Sequence, residues 1–196
     1  MQVSDLRKKL QNALAKPGSA SSDFDLNDDV QIPERDLTPA AVLISIRAET
    51  ETVILTKRSA RLKHHPGQIA FPGGKQDPTD PTLVDAALRE AREEIGLPSD
   101  IVNVVGTLPP HQTVTGYQVT PVLALMHGHY DPVPEAGEVS EVFEVPLAHL
   151  LEPANFFIEG RRWQGRHRLY YTVPFGPYYI WGATARILRA FAERMS

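Results

Sequence analysis

The segment GGKQDPTDPTLVDAALREAREEIGL, running from Gly73 to Leu97, constrains this chain most, because it joins a glycine turn to an acidic helix. Thr82 can cap that helix with Asp85 three residues on, Gly96 suits a left-handed exit, and Pro98 prevents continuation. The spacing therefore predicts a helix over Leu83–Ile95. At about 100° per residue, Val84, Ala87, Leu88, Ala91 and Ile95 form one apolar stripe, and Glu90, Glu93 and Glu94 fan out from its edge. Carboxylates this close repel one another unless a cation or solvent absorbs the charge. Glu90 and Glu94, at i and i+4, can converge on one ion, with Glu93 in reach of the same region. Such hard oxygen ligands favour Mg²⁺ or Mn²⁺ over zinc. The plainer alternative is a solvated face on which Arg89 and Arg92 offset the glutamates.

A chain of 196 residues with 42% hydrophobic residues supports one substantial core. We expect an N-terminal helix and lead-in loop over residues 1–36 that pack on a domain spanning 37–196. The net charge of -4 argues against broad binding to nucleic acid or an anionic membrane, so a polyanionic ligand needs a local basic patch or a metal. With no cysteine, disulfides, thiol nucleophiles and cysteine metal sites are excluded, and the plain expectation is cytoplasmic. Leu6, Leu10 and Leu14 recur at helical spacing among charges near the start, which predicts a short amphipathic helix rather than a signal peptide. No run approaches the ~18 to 20 apolar residues that span a bilayer. Residues 17–36, rich in Ser, Asp, Asn and Pro, are expected to be a loosely ordered loop.

Residues 40–46 and Thr52–Arg58 alternate as strands around a polar connection and are expected to pair as a core hairpin. A basic segment follows, with Arg58, Arg61, Lys63, His64 and His65 before the turn at Gly73 and Gly74. Its cations can meet substrate phosphates, Arg by a fork and Lys as a point charge, or form an ordinary exposed loop. Amides at Gly73 and Gly74 can approach a phosphate or hold the helix start against a strand. Residues 101–108, 118–126, 141–147 and 167–173 read as further strands, and 181–194 as a terminal helix with Thr184, Ile187, Leu188 and Phe191 inward. The pattern is a mixed sheet between helical layers. Glu138, Glu141 and Glu144 are expected at mostly exposed positions, any of them a possible extra base or ligand. Trp163, Tyr170, Tyr171 and Phe175 either stack on a base or fill core. His127 and His129 have metal-like spacing without a third ligand, so exposure is the better reading. Nucleophile-elbow, zinc-protease and dinucleotide-turn motifs are missing.

Residues 89–97, REAREEIGL, match every fixed position in the second half of the Nudix box, G-x5-E-x7-R-E-U-x-E-E-x-G-U. In the first half, counted from Gly74, Asp80 stands where the family has Glu, and one extra residue precedes Arg89. Upstream, ILTKRSARLKHHPGQIAFPGG resembles the motif of the coenzyme A pyrophosphatase branch, with Ile54, Arg58 and Lys63 departing from it. Segments at 108–122 and 178–188 are similar to bacterial members of that branch, so the resemblance covers about residues 40–188. It implies an α/β/α sandwich with a mixed sheet and hydrolysis of coenzyme A to adenosine 3′,5′-bisphosphate and 4′-phosphopantetheine. On that resemblance Glu90 and Glu94 hold Mg²⁺ or Mn²⁺, and Glu93 orients or deprotonates water. Arg89 steadies the carboxylates by an ion pair. Apart from the resemblance, the basic segment and the glycine turn make Arg58, Arg61, Lys63, Gly73 and Gly74 the candidate contacts to substrate. Two other readings are hydrolysis of ADP-ribose or dinucleotides, and a Nudix ligand-binding module without turnover.

Overall fold

Residues 3–27, 35–163 and 165–196 are described by the computed structural model. The helices are α1 (Val3–Ala15), α2 (Leu83–Ile95), α3 (Leu147–Leu151) and α4 (Ala183–Met195). The strands are β1 (Ser21–Ser22), β2 (Thr38–Arg47), β3 (Thr52–Arg58), β4 (Ile69–Ala70), β5 (Gly73–Lys75) and β6 (Val102–Thr107). They continue with β7 (His111–Gln112), β8 (Tyr117–Met126), β9 (Val139–Pro146), β10 (Phe157–Trp163) and β11 (Arg166–Thr172). Nine strands form one mixed sheet, while β10 and β11 make a separate antiparallel hairpin.

The centre of the sheet is the parallel pair of β2 and β8, in register from Thr38 with Tyr117 to Arg47 with Met126. Both strands bury both faces, so they read as nearly unbroken apolar runs rather than as alternating ones. Ile44, Ile46, Leu123 and Leu125 point to one side and meet Leu6 and Leu10 of α1 and Leu188 and Phe191 of α4. Leu43, Val122, Ala124 and Met126 point to the other, against Ala87, Ala91 and Ile95 of α2. These two cores on either side of one sheet make the α/β/α sandwich. Burying a side chain such as Ile95 contributes about 1.5 to 3 kcal/mol, and that seats α2 on the sheet at a fixed rotation.

The expected hairpin of β2 with β3 exists only at its closed end, where Ile46 pairs with Val53 and Arg47 with Thr52. Beyond it the strands diverge: β3 pairs with β9 and β4, while β5 takes the vacated edge of β2 through Ala40–Lys75, Ala41–Gly74 and Val42–Gly73. This divergence sets the glycine turn into the sheet directly beneath α2.

The lead-in differs from the loose loop expected of it. β1 runs parallel to β7, Ser21 Oγ lies 2.9 Å from His111 Nδ1, and Asn27 exchanges two hydrogen bonds with the Leu169 backbone at 2.9 and 3.0 Å. Polar side chains here supply the register that apolar patterning supplies elsewhere. The part of that expectation falling on residues 28–34 lies outside the described residues. The last helix starts at Ala183 rather than at Trp181, because Gly182 sits at φ 65° and Trp181 bridges to Thr172. No described helix is long and apolar enough to cross a membrane.

Candidate active site

Helix α2 begins and ends as its caps dictate. Thr82 Oγ1 accepts from the Asp85 amide at 3.2 Å, and Gly96 closes the helix at φ 71°. With Ala87, Ala91 and Ile95 held against the sheet, the same rotation carries Glu94 inward to 5% exposure. Its Oε2 accepts from the Gly73 amide at 3.2 Å. Burial pushes the Glu94 carboxyl up to about 7, against the lowering effect of the Gly73 bond, and Glu90 and Glu138 add repulsion while Arg58 opposes it. Glu90 is also raised, first by burial, with Arg89 pulling the other way. Glu90 and Glu94 thus crowd together with their negative charge incompletely compensated.

The glycines serve these carboxylates. A Cβ on Gly73 would lie 2.3 Å from the Ala41 carbonyl oxygen, and its φ is 157°, so only glycine fits there. The Gly73 amide, a candidate phosphate donor on sequence grounds, is committed to Glu94 instead. The nearest atoms to a Cβ on Gly74 would be those of the Glu90 carboxylate, at 2.4 to 2.8 Å, which is the far end of a side chain. Gly74→Ala is therefore expected to leave the fold intact, shown by unchanged thermal melting, while displacing Glu90 and weakening divalent-ion binding by about tenfold in calorimetry. An unaltered ion affinity would show that Glu90 takes no part in binding.

Arg89 organises the outer edge of the cluster. Its Nε and Nη2 donate to the two oxygens of Asp80 at 3.0 and 2.8 Å, and Nη2 also reaches the Lys75 carbonyl at 3.1 Å. Its Nη1 donates to Glu90 at 3.0 Å and to Glu93 at 2.9 Å. Asp80 is held below the usual carboxylate range by that bond to Arg89, and Arg89 is held fully charged. Asp80 thus anchors Arg89 from the loop that carries the extra residue. Glu93 is drawn toward Arg89 and solvent, with 54% of its side chain exposed, instead of joining Glu90 and Glu94.

Among the described residues no group of three or more His, Asp or Glu is arranged to hold a metal ion. The paired carboxylates nonetheless suit Mg²⁺ or Mn²⁺, which take one or two protein carboxylates and complete their shell with water and phosphate oxygens. A cleft of about 640 Å³ opens beside them, lined by Gly73, Gly74, Arg58, His64, His65 and Gln68 among others. Arg58 Nε is buried and has no hydrogen-bond partner among the described residues. Arg61 and Lys63 do not line this cleft and stand exposed, because the loop turns at His65, φ 54°, and Gly67, φ 71°.

The three later glutamates separate. Glu138 is exposed and faces the α2 carboxylates, whose charge it opposes. Glu141 and Glu144 are half-buried rather than exposed. Glu141 accepts from the Tyr178 hydroxyl, and Glu144 binds Arg47 Nη2 at 2.8 Å and the Thr52 hydroxyl. His129 is exposed beside Asp131, and His127 is partly exposed, 3.9 Å from Glu49. Tyr171 and Phe175 pack on the core, whereas Tyr170 meets Trp181 edge to face at 5.4 Å. The expectation for Trp163 falls on a side chain outside those described.

The NUDIX domain family matches residues 36–164 of this sequence. This chain belongs to the Nudix family. The uncharacterized Nudix hydrolase NudL of Pectobacterium atrosepticum is 42% identical over 159 residues, covering 80% of this chain and 82% of that protein. The protein of the same name from Klebsiella pneumoniae is 44% identical over 155 residues, covering 78% and 80%. Among solved structures, the NUDIX domain of Shewanella oneidensis NrtR complexed with ADP ribose aligns with TM-score 0.48 at 20% identity, covering 84% of this chain and 91% of that one. A C. elegans Ap4A hydrolase binary complex aligns with TM-score 0.47 at 22% identity, covering 56% and 80%. As a Nudix hydrolase the protein is a pyrophosphohydrolase, of a family that generally works with divalent metal ions.

Proposed function

We propose that this Nudix hydrolase cleaves the diphosphate linkage of coenzyme A, giving adenosine 3′,5′-bisphosphate and 4′-phosphopantetheine, with Mg²⁺ or Mn²⁺ held by Glu90 and Glu94. The observation that carries this reading is a buried Arg58 Nε, without a hydrogen-bond partner among the described residues, in the wall of a cleft that reaches Gly73 and Gly74, the glycines set against Glu94 and Glu90. A diphosphate needs both: a guanidinium fork for its oxygens and carboxylates that bring a dication to them. When bound, a divalent ion supplies charge neutralisation and a water of lowered pKa.

The remaining steps belong to the side chains. Arg58 donates to the diphosphate oxygens and stops their charge from repelling Glu94. Arg89, anchored by Asp80, holds Glu90 at the rim of the cleft and positions Glu93. Glu93 keeps one carboxylate oxygen on Arg89 and presents the other to solvent, where it can orient the attacking water or take its proton. Glu138 is the second candidate for that proton, since it faces the same pair from another element. The choice of coenzyme A over ADP-ribose or a dinucleotide rests on the upstream motif, whose matching positions are Leu55, Thr56, Ser59, Gly67 and Phe71 to Gly74.

A substrate panel resolved by mass spectrometry in ¹⁸O water tests the reading, with coenzyme A expected as the preferred substrate. Turnover of ADP-ribose or dinucleotides alone would overturn the assignment, and no turnover at all would leave a binding module. Glu93→Gln is expected to lower kcat by about 10²-fold or more with little change in KM, the size associated with a lost general base. If Glu138→Gln produces that drop and Glu93→Gln does not, the base is Glu138.

A further inference from the structure

A second cavity, of about 280 Å³, opens from the reaction cleft, and the two share His65, Gln68, Thr115 and Ala183 in their walls. Its outer wall is the β10–β11 hairpin together with Trp181. Arg161 and Arg168 both line it and are registered partners across that hairpin, so their side chains stand on one face. Cationic side chains on one face of a hairpin favour an anion over that face.

The surroundings keep Arg161 ready for such an anion. Its guanidinium lies 4.4 Å from the Trp181 ring centroid and 6.0 Å from that of Tyr170. Ring faces hold a guanidinium flat while leaving its N–H edges able to donate. Among the described residues Arg161 enters no ion pair. The carboxylate in the cavity wall, Asp23, is already engaged, through Oδ1 with His111 Nε2 at 3.1 Å and through Oδ2 with the Val114 amide at 2.8 Å. The cavity is thus cationic, walled by aromatic rings and continuous with the site of hydrolysis, yet cleavage of a diphosphate makes no demand on these groups.

We propose that this cavity is a subsite for a phosphomonoester on the nucleoside end of the substrate, held by Arg161, which selects 3′-phosphorylated substrates over their unphosphorylated counterparts. The inference rests on the coenzyme A reading, because that substrate carries a 3′-phosphate distinct from the diphosphate that is cleaved. Two anionic groups on one ligand then match two cationic stations, Arg58 in the cleft and Arg161 beyond it.

The test compares wild type, Arg161→Gln and Arg161→Lys on coenzyme A and on 3′-dephospho-coenzyme A. Calorimetry with adenosine 3′,5′-bisphosphate and with adenosine 5′-monophosphate provides a readout independent of turnover. Arg161→Gln is expected to lower kcat/KM for coenzyme A by about 10- to 100-fold, mostly through KM, the worth of one hydrogen-bonded charge pair. The dephospho substrate is expected to be unaffected, and Arg161→Lys to recover part of the loss. Should Arg161→Gln affect both substrates alike, or neither, the subsite is overturned while coenzyme A hydrolysis stands. Should wild type fail to hydrolyse coenzyme A yet bind the bisphosphate more tightly than the monophosphate in an Arg161-dependent way, the subsite stands and the catalytic reading falls. Failure of both discards both.

Discussion

Glu94→Gln is expected to abolish most turnover, by on the order of 10³-fold, while raising the stability of the metal-free protein at neutral pH. The two effects share one cause. Glu94 is buried and its carboxyl rises from 4.5 to about 7 on folding, so the folded chain binds a proton more tightly than the unfolded chain. Folding stability from this group is then complete below about pH 4.5 and is lost as pH climbs to about 7, because ionising the buried carboxylate opposes folding. At about 1.4 kcal/mol per unit the loss is on the order of 3 kcal/mol at pH 8. Glutamine keeps an oxygen for the Gly73 amide and carries no charge. The variant is therefore expected to melt higher than wild type at pH 8 in chelator, and the gap to close near pH 4. Added Mg²⁺ or Mn²⁺ is expected to raise the melting temperature of wild type and not of the variant. Equal stabilisation of both by the ion would remove Glu94 from the metal site, and undiminished turnover would remove it from catalysis.

Why Glu94 was readable from the sequence, and some of its neighbours were not, follows from the physics of each. Helix α2 declares itself through local chemistry, since Thr82, Gly96 and the apolar period act within one or two turns. Its burial then fixes where Glu90 and Glu94 point. The same period sets Glu93 away from the sheet, but its departure from the pair depends on Arg89, whose anchor Asp80 lies across an irregular loop. A spacing rule displaced by one residue conceals that anchor. Strand β5 was hidden because glycine has no side chain with which to show a period of two. The parallel pairing of β2 with β8 joins segments some seventy residues apart, and an apolar run alone specifies burial without naming a partner. Arg58 and the pair Arg61 and Lys63 look alike as basic loop residues. The backbone reversal at His65 and Gly67 separates the cation that enters the cleft from those that do not.

Arg89→Lys is expected to cost about 10²-fold in kcat/KM although the charge is kept. The arginine makes its bonds from three nitrogens held in one plane: to both oxygens of Asp80, to the Lys75 carbonyl, to Glu90 and to Glu93. A lysine ammonium offers three donors from one point and cannot reach acceptors spread around the edge of that plane. Loss of the span frees Glu90 and Glu93, so divalent-ion affinity is expected to fall by about 10- to 100-fold, as it does when groups that orient metal ligands are removed. Asp80→Asn keeps one acceptor oxygen and is expected to fall less. Asp80 reaches the glutamates through Arg89, its other side-chain bond coming from the Asp77 amide at 2.8 Å within its own loop, so the double variant is expected to be little worse than Arg89→Lys alone, a coupling that a double-mutant cycle reads directly. Multiplicative losses would instead give Asp80 an independent role. Wild-type activity in Arg89→Lys would mean that charge alone, and not the fork, holds the carboxylates in place.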